Sequence, residues 1–361
     1  MIVERLELVD FRNYERAVLE LTDGVTAVLG DNGHGKSNLA ESLAYLATLA
    51  SFRGAPADAL VRVGADEAVI RAQLRDHDGR EILIEAEIKR VGRSRVFVNR
   101  QRLARTRELL GVVRVGVFAP DDLAMVKGGP AERRRFCDDT LVALRTSYDA
   151  TRLELERVVR QRNTLLKQAG GRLTDEIVAT LDVWDDRFAT LADGFGHARR
   201  TLVDRLGPLV AEAYAQLAGA SADIELRYGA PWRASGLASA LAESRAVDVR
   251  RGVSTVGPHR DDVEIAIDGM AARTHASQGE QRTLALALRL AVHRLVAERT
   301  GSTPILVLDD VLSELDPSRA TALLAHLPPG QVIITSASPL PPAAEPDRTL
   351  RVRRGIVDGD A

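Results

Sequence analysis

The sequence predicts an α/β fold, with a parallel sheet and flanking helices, an antiparallel side sheet and an inserted α-helical second lobe. Short apolar runs such as VTAVL and PILVLDD, each followed by a helical pattern, are typical of buried parallel strands. Three stretches between residues 68 and 98 alternate apolar and polar residues, as antiparallel strands do. Most residues from 130 to 217 instead have helical spacing, which predicts the inserted lobe.

The N-terminal segment predicts strands followed by a glycine loop and a helix. Strands are expected in IVERLELVDF, AVLEL and VTAVL, the last of which ends at Gly30. A helix is expected from Lys36 to Ala50, because apolar residues recur there every three or four positions. The side sheet is expected from strands over 68–74, 81–88 and 95–98.

The middle of the chain predicts a bundle of helices. Helical spacing runs from about Pro130 to Gln168, and again over 174–217. The apolar positions of the first region form an incomplete heptad that is interrupted at Thr151 and Arg162. This interruption favours helices of a local bundle over a long coiled coil.

The C-terminal segment returns to alternating strands and helices. DDVEIAIDG, PILVLDD and QVIITSA are expected as strands, with a helix from about Gly279 to Thr300 and another from Pro317. We therefore expect a discontinuous first lobe of residues 1–119 and 246–361, and a mainly helical lobe of residues 120–245.

The composition is that of a folded protein, with 45% hydrophobic and 28% charged residues and a net charge of −2. Charges at Glu4, Arg5, Glu7 and Asp10 leave no secretory signal, and no stretch approaches 18 apolar residues. We expect a cytoplasmic location and no membrane partner.

The one cysteine, Cys137, excludes an intramolecular disulfide and a cysteine zinc cluster, and is predicted to be a core residue.

Positive charge is concentrated between Lys89 and Arg107, where eight basic residues and no acidic ones occur. The stretch is either a solvated hairpin whose arginines pair with carboxylates from elsewhere, or a surface for an anionic polymer. Its single aromatic residue, Phe97, favours contact with a duplex backbone over stacking on single-stranded bases. The candidate DNA contacts are Arg90, Arg93, Arg95, Arg100, Arg102 and Arg105.

The segment GDNGHGKS, from Gly30 to Ser37, is a complete P-loop pattern between a predicted strand and a predicted helix. Its backbone N–H groups and the helix N-terminus would bind the phosphates of ATP. Lys36 would neutralise the β- and γ-phosphates, and Ser37 would offer a hydroxyl to Mg²⁺. The predicted ATP-binding residues of this loop are Gly30, Asp31, Asn32, Gly33, His34, Gly35, Lys36, Ser37 and Asn38.

Two acidic residues, Asp309 and Asp310, follow the apolar strand ILVL. Asp309 is predicted to hold Mg²⁺ together with Ser37, and Asp310 to orient or deprotonate the attacking water. The long interval between Lys36 and Asp309 excludes a small kinase or GTPase core without a large insertion. HRDD at residues 259–262 is similar to a kinase catalytic loop, but the position of the required Asn holds Ala266.

A second phosphate-binding surface is predicted where ASQGEQ begins a helix. Ser277, Gly279 and Gln281 are its candidate ATP-binding residues. The order of P-loop, Ser-x-Gly-x-Gln, paired acids and SELDP is that of ABC-type ATPases, in which the serine of one subunit reaches the γ-phosphate of the other. We therefore expect an ATP-dependent homodimer, with Lys36, Asp309, Asp310 and Ser277 as catalytic residues. After QVIIT, Thr335 or Ser336 is expected to sense the γ-phosphate.

Several longer stretches resemble the RecF family of bacterial ATPases, which are related to the heads of Rad50 and SMC proteins. They are LELVDFRNYE, GDNGHGKSNLAESLAYL, SFRG, VGVFAPDDLAMVKGGPAERRRFCDD, VGPHRDDVEIAIDG, ASQGEQRTLALALRLA and LVLDDVLSELDPSR. The resemblance implies a Rad50-head-like ABC-type ATPase lobe, a helical lobe without the long coiled coil, and dimerisation on ATP. It also implies binding to double-stranded or gapped DNA, and work with RecO and RecR to load the recombinase in DNA repair, replication-fork maintenance and SOS induction.

Asp310 is shorter than the glutamate typical of transporters, which predicts slow ATP hydrolysis. Stimulation of this hydrolysis by DNA is expected as well. Two other functions remain open from the residues alone. The same ATPase could serve a membrane permease, or the chain could be a DNA-binding structural protein that holds a nucleotide without turnover.

Overall fold

The structure is a computed structural model that describes residues 1–76 and 78–359. Its strands are β1 (Ile2–Phe11), β2 (Tyr14–Glu20), β3 (Val25–Leu29), β4 (Glu67–Arg75), β5 (Glu81–Lys89), β6 (Arg95–Val98), β7 (Gln101–Arg102), β8 (Val115–Phe118), β9 (Ile224–Gly229), β10 (Asp262–Ile267), β11 (Met270–Ala271), β12 (Ile305–Asp309), β13 (Val332–Ser336), β14 (Arg348–Arg353) and β15 (Ile356–Gly359). Its α-helices are α1 (Lys36–Thr48), α2 (Ala57–Leu60), α3 (Ala124–Lys127), α4 (Pro130–Leu144), α5 (Ser147–Gln168), α6 (Asp175–Ala218), α7 (Leu237–Arg251), α8 (Ala272–His275), α9 (Gln278–Thr300) and α10 (Pro317–Ala325).

The described strands form three sheets, and the two larger ones confirm the predicted α/β fold with an antiparallel side sheet. The side sheet has the order β2-β1-β4-β5-β6-β7, with every neighbouring pair antiparallel. The second sheet has the order β15-β14-β3-β13-β12-β8 and is parallel from β14 to β8. A third sheet, which the sequence did not predict, has the order β11-β10-β9.

Two compact units divide the described chain at places that differ from the predicted division. The first unit contains residues 1–123, 212–221 and 278–361, and the second contains 124–211 and 222–277. The predicted boundary at residue 246 instead falls inside α7. The difference arises because β10 pairs along its whole length with β9, which keeps both strands in the second unit.

The core of the first unit lies between sheets and helices whose apolar residues face inward. Every residue of β12 is buried, as expected for an inner parallel strand. The side sheet is buried on one face only, where alternate residues such as Ile84, Ala86 and Ile88 are inaccessible to solvent. Its other face is charged, and its arginines and lysines pair with glutamates in Arg5–Glu20, Arg16–Glu7, Arg71–Glu85, Lys89–Glu67 and Arg95–Glu87.

Local signals explain where the first helix begins and ends. α1 begins at Lys36, as predicted, because Gly35 adopts a φ of 120° that ends the preceding loop. It ends at Thr48 instead of Ala50, since Leu49 has a left-handed φ of 55° and caps the last turn.

Cys137 is buried, as the sequence predicted, and burial raises the pKa of its thiol to about 12. Among the described residues no helix is both long and apolar enough to cross a membrane.

The second unit is built around a buried arginine at a position where the heptad of α5 is interrupted. The side chain of Arg162 is 0% exposed, with Nε 2.6 Å from Asp185 and Nη1 2.7 Å from Asp248. Nη1 also donates to the hydroxyl of Ser254 over 2.9 Å. A buried guanidinium needs such partners, because an unpaired charge in the interior is costly. Arg162 thus joins α5, α6 and α7 by polar contacts where a coiled coil would have an apolar residue.

Replacing Arg162 with leucine should strongly destabilise the second unit. Asp248 would remain buried without its cation and Asp185 would keep only its contact with Arg245, and breaking a buried pair in this way costs about 3–5 kcal/mol. The free energy of unfolding can be measured by denaturant titration followed by circular dichroism. The control is Arg157→Leu on the same helix, since Arg157 is exposed and its ion pair with Glu154 is long, at 3.9 Å. Equal stability of the two variants would contradict this role of Arg162.

Candidate nucleotide-binding site

The predicted nucleotide-binding residues lie at the carboxyl ends of three neighbouring parallel strands. β13 lies between β3, which leads into the P-loop, and β12, which ends at Asp309. Asp309 pairs in register with Thr335 of β13, and Leu29 of β3 pairs with Ser336. Because the carboxyl ends of parallel strands meet at one edge, the sheet brings the P-loop close to both acids.

The P-loop requires glycine for two different physical reasons. Gly33 and Gly35 have φ values of 80° and 120°, which residues with a side chain rarely adopt. Gly30 instead lies against β14, where an added Cβ would come within 2.3 Å of the carbonyl oxygen of Val352. α1 starts at Lys36, so the backbone N–H groups of the loop and the helix N-terminus can receive phosphate oxygens.

The turn between β1 and β2 supports the P-loop from outside, a contact that sequence reasoning missed. The hydroxyl of Tyr14 donates to the carbonyl oxygen of Gly35 over 2.9 Å, and Nδ2 of Asn13 donates to that of His34 over 2.9 Å. Nδ2 of Asn38 donates to Oδ1 of Asn13 over 2.8 Å. The loop is therefore held in shape before any ligand binds. Only the presence of Asn13 and Tyr14 in the RecF-like stretch LELVDFRNYE could have pointed to them.

Lys36 is nearly inaccessible, with a side chain that is 3% exposed, and its ammonium group is held inside the site. Nζ donates to the carbonyl oxygen of Asp31 over 3.2 Å and lies 3.9 Å from Oδ2 of Asp310. Without such partners a buried ammonium would be strongly disfavoured. The site therefore contains a fixed positive charge between the P-loop and the second acid.

Asp309 is buried at the end of β12 and accepts a hydrogen bond from the hydroxyl of Thr335 over 2.7 Å. Burial raises the pKa of Asp309, while hydrogen bonds from Thr335 and Ser37 act to lower it. The Ser37 hydroxyl and the Asp309 carboxylate are thus neighbours, and both are hard oxygen donors of the kind that Mg²⁺ prefers. Among the described residues no group of three or more His, Cys, Asp or Glu side chains could hold a metal.

Asp310 turns away from the strand through a left-handed backbone conformation, with a φ of 53°. Its N–H donates to the hydroxyl oxygen of Thr335 over 3.0 Å, and its Oδ1 accepts from the N–H of Ala337 over 3.2 Å. The side chain is 25% exposed, so water can reach the carboxylate. The carboxylate of Asp310 is therefore accessible to water at the edge of the site.

Two arginines near α1 were not predicted as site residues. Nη1 of Arg53 donates to Oδ1 of Asn38 over 3.0 Å, and the positive charge of Arg53 acts to lower the pKa of Asp309. Arg12 binds both carboxylate oxygens of the buried Glu41 at 2.7 Å each, which fixes α1 to the end of β1. Sequence reasoning missed both, because contacts of irregular loops leave no periodic signal.

The predicted signature residues surround the N-terminus of α9. Ser277 directly precedes this helix and is exposed, and Gly279 and Gln281 lie in its first turn. Gln281 is buried, so the structure does not place it where it can contact a ligand of another subunit, as the sequence had suggested. A groove next to this turn is lined by Gly279, Arg282, Glu314, Leu315, Asp316 and Arg319. None of the predicted P-loop residues lines this groove.

The six candidate DNA contacts differ in what they do within the fold. Arg90 donates to the backbone carbonyl oxygens of Val61, Arg62 and Ala65, and Arg95 pairs with Glu87 over 2.6 Å. Arg95 therefore pairs with a carboxylate of the neighbouring strand, as the solvated-hairpin alternative expected, whereas Arg90 binds backbone carbonyl oxygens of the segment before β4. The other four are exposed, and the described residues offer them no ion pair: Arg93, Arg100, Arg102 and Arg105.

Comparisons with known proteins agree on the family. The family model for the RecF/RecN/SMC N-terminal domain matches residues 2–351. The "DNA replication and repair protein RecF" of Streptomyces avermitilis is 44% identical and aligns over 93% of this chain and 94% of its own length. The protein of the same name from Cutibacterium acnes is 40% identical, and the alignment covers 99% of this chain and 97% of that protein.

Solved structures agree with the fold. The recombination mediator protein RecF with ATP, in the RecFOR pathway, has a TM-score of 0.91 and 30% identity over 99% of this chain and 97% of that one. The SMC head bound to the C-winged helix domain of ScpA is 18% identical and has a TM-score of 0.61. The match covers 100% of this chain and 97% of that one. It therefore shares the fold, which is that of ABC-type ATPases. On its sequence and its fold together, this chain belongs to the RecF family.

Proposed function

We propose that this chain is an ATP-dependent DNA-binding protein of recombinational DNA repair. The observation that carries the proposal is the grouping of Lys36, Ser37 and Asp309 at one sheet edge in a chain of the RecF family. The curated relatives are named for DNA replication and repair, and a solved relative holds ATP. A role in replication, recombination and the response to DNA damage agrees with these names.

In the proposed site the P-loop and Lys36 bind the triphosphate. The backbone N–H groups after Gly30 contact phosphate oxygens, and the Lys36 ammonium exchanges its partner Asp310 for the β- and γ-phosphates. Ser37 and Asp309 hold Mg²⁺, which when bound supplies positive charge to the phosphates. Thr335 fixes the rotamer of Asp309 and so keeps its second oxygen available.

Asp310 acts as the base that orients and deprotonates the attacking water. Its carboxylate is partly exposed and is released from Lys36 when that lysine binds phosphate. The aspartate side chain is one methylene shorter than glutamate, so we propose slow ATP hydrolysis that DNA stimulates. Slow turnover would make the nucleotide a timer for the bound state.

The signature residues complete the site of a second subunit. Ser277 and Gly279 of one subunit contact the γ-phosphate held by Lys36 of the other, which makes dimerisation depend on ATP, while the buried Gln281 supports the turn from within. The dimer binds double-stranded or gapped DNA and helps to load the recombinase with RecO and RecR. It thereby supports replication forks and SOS induction, in the cytoplasm.

ATP should convert the chain from monomer to dimer. Sizing by light scattering with ATP and Mg²⁺ should give twice the mass of 39.2 kDa that one chain has. Ser277→Arg is the control, because an arginine directly before α9 would obstruct the approach of a second subunit while leaving the P-loop intact. A chain that binds and hydrolyses ATP without any change in mass would contradict the proposal.

Separate substitutions at Lys36 and Asp310 should separate nucleotide binding from turnover. Lys36→Ala should lose ATP affinity, while Asp310→Asn should bind ATP and dimerise but hydrolyse it at least about a hundredfold more slowly. Fluorescent nucleotide binding and phosphate release measure the two steps. If Asp310→Asn supports DNA repair in cells as well as the unaltered chain does, the nucleotide is a static part of the fold and the ATPase cycle has no role.

The exposed arginines at the far edge of the side sheet should contact duplex DNA. A triple variant in which Arg100, Arg102 and Arg105 are each replaced by alanine should bind duplex DNA with a weaker salt dependence. The slope of log K for DNA binding against log salt concentration should become shallower by about 2–3. The matched control replaces Arg5, Arg16 and Arg75, which are also exposed but paired with glutamates. Fluorescence anisotropy over about 50–200 mM salt measures both slopes. Equal slopes for the two triple variants would exclude this edge as the DNA contact.

A further inference from the structure

The guanidinium of Arg319 lies directly against the first turn of α9. Nη1 of Arg319 is 2.9 Å from the position that a Cβ on Gly279 would take. The same nitrogen is 2.6 Å from Oδ2 of Asp316, the N-cap of α10, whose Oδ1 accepts from the backbone N–H of Arg319. Residue 279 must therefore be glycine for Arg319 to occupy this place.

The charges at this contact are arranged for an anion. The N-terminus of a helix carries partial positive charge, so a cation there is unfavourable unless a negative group balances both. Asp316 balances part of the charge, and Arg319 in turn lowers the pKa of Asp316. Nε of Arg319 is buried, yet it has no hydrogen-bond partner among the described residues. Other arginines of the chain also have a buried Nε without a partner, but Arg319 differs in lying against a helix N-terminus, where an anionic ligand would satisfy the donor.

Neighbouring side chains hold the groove in shape but leave Arg319 free to act. Arg282 donates to the carbonyl oxygen of Glu314 over 3.1 Å, and its Nε lies 3.3 Å from the Glu314 carboxylate. Like that of Arg319, the buried Nε of Arg282 has no hydrogen-bond partner among the described residues, but Arg282 lies beside Glu314, whereas Arg319 lies against the turn at Gly279. The side chain of Arg319 is 31% exposed, so an approaching subunit can reach it.

We propose that Arg319 binds the triphosphate held by a second copy of this chain, in addition to the signature residues. This inference rests on the proposed ATP-dependent dimer and adds a residue to its composite site. The guanidinium donates to a phosphate oxygen of the partner subunit's nucleotide, and its charge offsets that of the phosphate next to the helix N-terminus.

A dimer with a single usable site tests this proposal. One subunit carries Ser277→Arg and contributes only its P-loop, while a labelled second subunit carries Lys36→Ala and contributes only its signature face. Arg319→Gln is then placed in one subunit or in the other, and ATP-dependent pairing is followed by fluorescence anisotropy. We expect pairing to weaken about tenfold when the substitution is in the Lys36→Ala subunit, and to be unchanged in the Ser277→Arg subunit.

The other outcomes have separate meanings. An effect in both subunits, in neither, or only in the Ser277→Arg subunit would overturn the proposal. Arg319→Lys in the Lys36→Ala subunit should retain most of the pairing affinity, because it keeps the positive charge. If Arg319→Lys weakens pairing as much as Arg319→Gln does, the positive charge of residue 319 is not what binds the phosphate. The control for surface charge is Arg299→Gln on the exposed end of α9. If the unaltered chain fails to dimerise on ATP, the proposed function itself is wrong.

Discussion

The site depends on the register of three adjacent parallel strands. β13 pairs with β3 on one side and with β12 on the other, so its last residues lie between the P-loop and the two acids. The Thr335 hydroxyl contacts both acids, as donor to the Asp309 carboxylate and acceptor from the N–H of Asp310. A slip of one residue would turn Thr335 to the opposite face of the sheet. Distant parts of the sequence thus meet in one site because the sheet fixes which residues end side by side.

Those parts of the fold that the sequence predicted have local causes. The P-loop, the strand before the two acids and α1 each follow from a short run of residues. The interruption at Arg162 marked a position that could not be an ordinary apolar contact, but its partners Asp185 and Asp248 lie on other helices. The placement of β9 and β10 in the second unit was missed for the same reason, since strand pairing across a helix leaves no local pattern.

On the side sheet, a count of charged residues along the sequence does not show where uncompensated positive charge lies. The run from Lys89 to Arg107 has no acid of its own, yet strand pairing places Glu67 opposite Lys89 and Glu87 opposite Arg95. The middle of the sheet is therefore close to neutral, and uncompensated positive charge remains at the turns and the last strand. An anionic polymer would be attracted to these edges more than to the flat face.

Within one chain, the P-loop and the signature turn differ in how their cations are satisfied. Lys36 has both a carbonyl oxygen and the carboxylate of Asp310 close by, so the P-loop is electrostatically balanced without a ligand. Arg319 pairs with Asp316 through Nη1 but retains a buried Nε with no described partner, next to a helix N-terminus that is itself partly positive. A triphosphate bound at the P-loop adds more negative charge than one lysine neutralises. In the proposed dimer, the remaining charge on the nucleotide would be complementary to the unpaired Nε of Arg319 of the second chain.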